Sequence, residues 1–189
     1  MKKAVLDACV LYPVQLRDVL LSIASEGCFE PHWSDQINDE WKRNLLVDRK
    51  DLKPEQLERT IITMNEAFEG ACLSGFEGLI DKIELPDLDD RHVVAAAIHN
   101  KSTYIITNNL KDFPADQLKR WSVVAKSPED FIEELIVADD LFELIIKALA
   151  DQRARMKNPP MDVSEFVEGI KKQGLTKLAA RLQLRTSDL

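Results

Sequence analysis

The chain has 189 residues, 45% apolar and 31% charged, with six Gly and eight Pro, a mixture that suits a globular protein and excludes fibrous or low-complexity classes. Its length allows one domain, or one domain with an appendage, burying roughly 70% of the unfolded surface; no apolar run approaches the roughly 20 residues of a membrane span. A formal net charge of −8 argues against generic electrostatic attachment to nucleic acid.

Lys2 and Lys3 give the chain a basic start, but Asp7 breaks the apolar run too early for a signal peptide, so no export and a cytoplasmic location are expected. Ala4-Val5-Leu6 predicts a buried strand with a carboxylate at its C-terminal end. Leu16, Val19, Leu20 and Ile23 recur at helical spacing up to Gly27, a helix stop. Ser34 reads as the N-cap of a helix carrying Ile37, Trp41 and Leu45 on one stripe. A helix follows Pro54, with Leu57, Ile61, Ile62 and Met64 as a looser apolar face. The alternation over 79–85 predicts a strand, and Asp90 opens an Ala-rich helix closing near Asn100.

Residues 102–107 form the clearest strand, β-branched and bounded by Asn108-Asn109, and 122–125 a shorter one. Ser127-Pro128-Glu129-Asp130 supplies a cap, a Pro at the first helical position and acids in the first turn. Strands alternating with helices imply an α/β fold with a largely parallel sheet. After about residue 138 only helical patterns recur, at 139–156, 163–173 and 175–184, separated by Asn158-Pro159-Pro160 and Gly174. Two domains are therefore expected, 1–137 and an α-helical extension, 138–189. Residues 151–189 hold eight Lys or Arg against five Asp or Glu, a net of +3, which leaves −11 for residues 1–150. Cys9, Cys28 and Cys72 are odd in number and lack a CxxC pair, so idle thiols in a reducing compartment are expected rather than disulfides or zinc.

Position distinguishes a few of the 33 acids. Asp7 ends a strand, Asp90 begins an apolar helix, Asp112 follows the 102–107 strand by a short turn, and Glu40 lies within a turn of the core face of its helix. In an open parallel sheet, strand C-termini and the loops after them converge on one edge, where such folds place their sites. Carboxylates packed there repel one another, and a hard divalent cation, Mg2+ or Mn2+, relieves the repulsion through oxygen ligands. Such a centre supports in-line hydrolysis at phosphorus. No Walker A loop, HExxH or Ser-His-Asp arrangement competes.

AVLDACVLYP, SDQINDEWKRNL, DLDDRHVVAAAI and YIITNNLKDF, in that order over residues 3–113, resemble the PIN-domain nucleases, most closely the VapC-type ribonuclease toxins of toxin–antitoxin modules. The resemblance implies a PIN-like three-layer fold, with a central parallel sheet flanked by helices and the small helical extension left uncovered. It implies Asp7, Glu40, Asp90 and Asp112 as catalytic and metal-binding residues, with Thr107 and Asn109 as supporting polar groups. The fourth acidic position falls on Asn109 or Asp112. The third falls on Asp90 by its distance to the Ala-rich helix, with Asp87 and Asp89 beside it. Also implied are Mg2+ or Mn2+ as cofactor, structured RNA such as tRNA or rRNA as substrate, a cognate antitoxin, and a homodimer. The alternative is a PIN-like RNA- or protein-binding scaffold with weak or no catalysis.

Each residue also has a plainer role. Asp90 serves as an N-cap, Glu40 as a solvated helix acid and Asp112 as a turn residue. His92 and His99 read as structural, and Trp33, Trp41 and Trp121 as packing. Arg91 and Lys111 read as salt-bridge partners ahead of phosphate contacts. Lys171, Lys172, Lys177, Arg181 and Arg185 form a solvated face that could also guide RNA.

Overall fold

The apolar opening forms strand β1 (Lys3–Leu6), whose Ala4, Val5 and Leu6 are fully buried, and a one-turn helix α1 (Ala8–Leu11) follows Asp7 directly. The computed structural model describes residues 1–157 and 160–189, which group into two compact units. Residues 2–12 and 30–126 make a sheet-bearing unit; residue 1, 13–29 and 127–189 make a helical one.

In the sheet unit, β2 (Glu30–Ser34) leads without a break into α3 (Asp35–Asp48). The Ser34 side chain accepts a hydrogen bond from the Ile37 N–H, so the predicted cap is formed. Ile37, Trp41 and Leu45 are buried as one stripe of α3. Helix α4 (Pro54–Ala67) buries Leu57, Ile61 and Met64. Ile62, expected on that face, is 54% exposed, because one position past Ile61 rotates it about 100° away. Trp33 and Trp41 are wholly buried and donate their indole N–H groups to Asn65 and Asn38, at 2.8 and 3.0 Å, so both serve packing.

The strand predicted at 79–85 does not form. Strand β3 (Cys72–Leu73) lies earlier and pairs with Trp33 and Ser34. Leu79 and Ile80 belong to a short helix α5 (Glu77–Ile80), and Lys82 and Ile83 donate back to their carbonyls at 3.0 and 3.2 Å. Local turns thus satisfy the backbone there, while the alternation survives only as buried Ile83 and Leu85.

Helix α6 (Arg91–His99) buries the run Val93-Val94-Ala95-Ala96-Ala97 completely and packs on β1, β2 and β4 (Tyr104–Ile106). Its small side chains let helix and sheet approach closely. A 3-10 turn (Leu110–Asp112) and α7 (Ala115–Lys119) lead to β5 (Val124–Lys126). The five strands are all parallel, in the order β3-β2-β1-β4-β5. The chain therefore builds outward from β1 in one direction and then, through β4, in the other. The switch falls between β1 and β4, where open α/β sheets leave a crevice beyond the strand C-termini.

The helical unit collects α2 (Val14–Ser25), α8 (Pro128–Val137), α9 (Phe142–Arg155), α10 (Val163–Lys172) and α11 (Thr176–Gln183). Helix α2 packs on α9 and α10, and α11 on α8 and α10. Phe29 and Phe131 meet edge to face at 5.0 Å. The α8 cap forms as predicted, Ser127 accepting from the Asp130 N–H with Pro128 at the first helical position. Gly174, at φ +83°, makes the turn between α10 and α11. Of the predicted separator 158–160, residues 158 and 159 lie outside the described residues. No described helix is long and apolar enough to cross a membrane.

Candidate active site

Asp7 and Thr107 stand at the C-terminal ends of β1 and β4, one on each side of the switch point. Backbone bonds hold both in register: Asp7 N–H to Ile106 O at 3.1 Å and Thr107 N–H to Lys126 O at 2.9 Å. Asp7 is only 3% exposed and Thr107 not at all. The Thr107 hydroxyl donates to Asp7 Oδ2 at 2.7 Å and accepts from the Asn109 N–H at 2.9 Å. Cys9 Sγ donates to the same Asp7 oxygen at 3.1 Å, contacts Thr107 Oγ1 at 3.3 Å and accepts from the Asn108 N–H at 3.2 Å. Burial, foremost, pushes the Cys9 thiol up to about 12, so it stays protonated and donates. Burial also raises the Asp7 carboxyl, against the lowering effect of these donors.

Nearby, Asp87, Asp90 and Asp112 bring one carboxylate oxygen each to within 4.8 Å of one another. Asp90 stands at the N-cap position of α6, yet its side chain makes no cap hydrogen bond. Its Oδ2 is buried without a described partner. Burial first, then repulsion from Asp7, Asp87, Glu40 and Asp112, raises the Asp90 carboxyl to about 7. Capping therefore does not account for Asp90, whereas a cation would satisfy both the orphaned oxygen and the clustered charge. Asn109 donates its side-chain amide to Asp112 Oδ2, so the two claimants to the fourth position act together, one orienting the other. Asp87, treated in the sequence as a neighbour of Asp90, stands in the tightest group, its Oδ1 also accepting from the Asp89 N–H at 2.9 Å.

Glu40, from α3, and Asp7 stand outside that tightest group and reach Asp90 through repulsion. Glu40 Oε2 lies 3.6 Å from His92 Nε2. Both line a cleft of about 540 Å³, together with Asp39, Asp87, Asp89 and Asp90 as further acids. Arg91 sits 3.7 Å from Asp81 and donates to Leu88 O, the salt-bridge role anticipated for it. The donor set is all oxygen where the carboxylates meet, which suits a hard divalent cation.

Two family models match the chain: a PIN domain over residues 3–111 and a VapC50 C-terminal domain over residues 128–184. The first covers more than half of the sequence. The chain belongs to the PIN-domain family. Its parallel sheet with flanking helices is the α/β arrangement expected of that family, and the helices after residue 128 are similar to a second, VapC50-type domain. Among curated proteins, the candidate ribonuclease VapC50 of Mycobacterium tuberculosis is 43% identical over 60 residues, 32% of this chain and 34% of that protein. The matched stretch thus spans about a third of the relative. No solved structure gives a significant match.

Beside the residues singled out in the sequence, the structure brings Cys9 and Asp87 into this candidate site. Cys9 looked idle, but a thiol two residues after a strand-end acid falls in the first turn beyond β1, within reach of the acid's own carboxylate. Asp87 was one of three acids in DLDD, and only the path of the loop separates them.

Proposed function

We propose that this PIN-domain chain is a metal-dependent ribonuclease, the VapC-type toxin of a toxin–antitoxin pair, acting in the cytoplasm. The observation that carries it is the uncompensated acid group, in which Asp90 is held up to about 7 beside Asp87 and Asp112. The ribonuclease name of the VapC50 relative supports the substrate class. Structured RNA such as tRNA or rRNA, a cognate antitoxin and a homodimer complete the reading by kinship alone.

Asp7, Glu40, Asp90 and Asp112, with Asp87, would hold Mg2+ or Mn2+. The ion supplies charge neutralisation and Lewis-acid assistance to in-line hydrolysis of a phosphodiester. The chain's own groups set the stage. Thr107 and Cys9 fix one Asp7 oxygen, so the buried carboxylate presents a single orientation. Asn109 does the same for Asp112. With its carboxyl raised to about 7, Asp90 is divided between protonated and ionised forms near neutral pH, and a bound cation would favour the ionised one.

Incubation of total RNA with purified protein in Mg2+, Mn2+ or EDTA, alongside Asp7→Asn, tests the proposal. Discrete fragments should appear with metal and vanish with EDTA or in the variant. A folded protein that binds Mn2+ yet leaves RNA intact, with no antitoxin co-purified, would favour the scaffold reading instead.

A further inference from the structure

Helix α3 turns one face to the acidic cleft: Gln36, Asp39, Glu40, Arg43 and Asn44 line it, at spacings of three and four residues. Arg43 is the one cation among the described lining residues, and it is exposed. On a helix, an Arg three or four residues after two acids ordinarily pairs with one of them. Here both have other company. Asp39 lies 2.9 Å from Lys42, which also holds Glu58 at 2.7 Å. Glu40 faces His92. Arg43 lines the cleft, is exposed, and makes no described hydrogen bond or ion pair.

An RNA strand approaching this cleft meets at least five carboxylates before any metal neutralises part of them. A cation that stays free on the wall offsets that repulsion, and an Arg fork matches two phosphate oxygens at once. Glu40 and Arg43 are three residues apart, just under one helical turn and about 4.5 Å along the axis. A phosphate on Arg43 would sit on the cleft lining, and Arg43 makes no described contact with Asp87, Asp90 or Asp112. We propose that Arg43 binds a backbone phosphate neighbouring the scissile one, with Gln36 and Asn44 as polar rims of the same track. The inference rests on the ribonuclease reading and assigns that site its phosphate-positioning residue.

Fluorescence anisotropy of a labelled, mixed-sequence 20-nucleotide single-stranded RNA, in Mg2+ at low temperature and rising KCl, tests it. Arg43→Ala should weaken binding about tenfold and reduce the salt slope by about 1, as loss of one phosphate contact does. Arg43→Lys should restore the slope but only part of the affinity, since the charge returns without the fork. Mn2+ affinity should not fall in either variant, since Arg43 touches none of the acids and its removal takes away a like charge. If Arg43→Ala binds RNA as the wild type does, with the same slope, the assignment is overturned while the nuclease reading stands. If the wild type neither binds nor cleaves RNA in Mn2+, the reading itself falls and takes Arg43 with it.

Discussion

In the helical unit, carboxylates meet cations. Glu133 takes both arms of Arg181 at 2.9 and 3.0 Å, and Glu143 those of Arg185 at the same distances. Lys177 lies 3.3 Å from Asp130, and Lys147 lies 2.7 Å from Glu26. In the sheet unit, Asp87, Asp90 and Asp112 meet one another, with Asp7 and Glu40 adding repulsion. The sheet unit also pairs acids with cations, as at Lys42 and Arg91, so what stands apart is the one cluster of acids that meets without a described counter-charge. Of the five basic residues read as a solvated face that could also guide RNA, Lys177, Arg181 and Arg185 pair with acids of their own unit.

The largest effect should come from removing the central acid. Asp90→Asn should abolish Mn2+ binding and RNA cleavage while leaving the metal-free protein as stable as the wild type or more so. The sign follows from the raised carboxyl. A group whose folded pKa lies above its unfolded value contributes stability that is full below the unfolded pKa and is lost as pH rises through the folded one. Metal-free wild type should therefore lose stability relative to Asp90→Asn between about pH 4 and pH 7. Melting curves of both proteins in EDTA across that range check it. Added Mn2+ should raise the wild-type melting point most at the upper end, since binding to the native state alone stabilises it. A variant that melts lower than wild type at pH 7 in EDTA would mean that Asp90 has a partner of its own.

Next in size is the buried hydroxyl that orders Asp7 and Asn109. Thr107→Val removes the 2.7 Å donor to Asp7 and the acceptor of the Asn109 N–H. A cost of about 1–3 kcal/mol follows for groups left unsatisfied in a buried setting, and Thr107→Ser should recover most of it. Denaturant unfolding reads the stability, and Mn2+ titration reads whether Asp7 has lost its orientation. Wild-type values for Thr107→Val in both would show that burial alone positions Asp7.

The sequence carried the strands and caps that depend on local chemistry. Ser34 and Ser127 cap because a hydroxyl before an apolar helix has an N–H to bind, and β1 and β4 are short β-rich runs with sharp ends. It misread 79–85, where alternation reflected two inward side chains on a chain of turns. Nothing local distinguishes such a pattern from an edge strand, because the missing information is whether a neighbour offers hydrogen bonds. The site shows the same division. Asp7 was conspicuous as an acid closing a buried strand, and Asp90 as one opening a buried helix. Asp87 depended on a loop's path, and Cys9 on a partner 98 residues away, and neither separation has a sequence signature.

The smallest effect should come from the helical unit, and it tests the contrast most directly. Arg181→Ala removes a bidentate pair to Glu133 whose side chains are 39% and 17% exposed. Solvent screens such a pair, so the loss should be about 0.2–1 kcal/mol. The guanidinium also lies 5.9 Å from the Phe142 ring, which adds some packing to the loss. RNA cleavage and Mn2+ affinity should not change, since a paired arginine offers its fork to no phosphate. A variant that keeps its melting point but binds RNA more weakly, with a reduced salt slope, would show that Arg181 exchanges Glu133 for substrate. The division between paired acids that build the fold and unpaired acids that build the site would then extend only to the carboxylates, not to the cations that answer them.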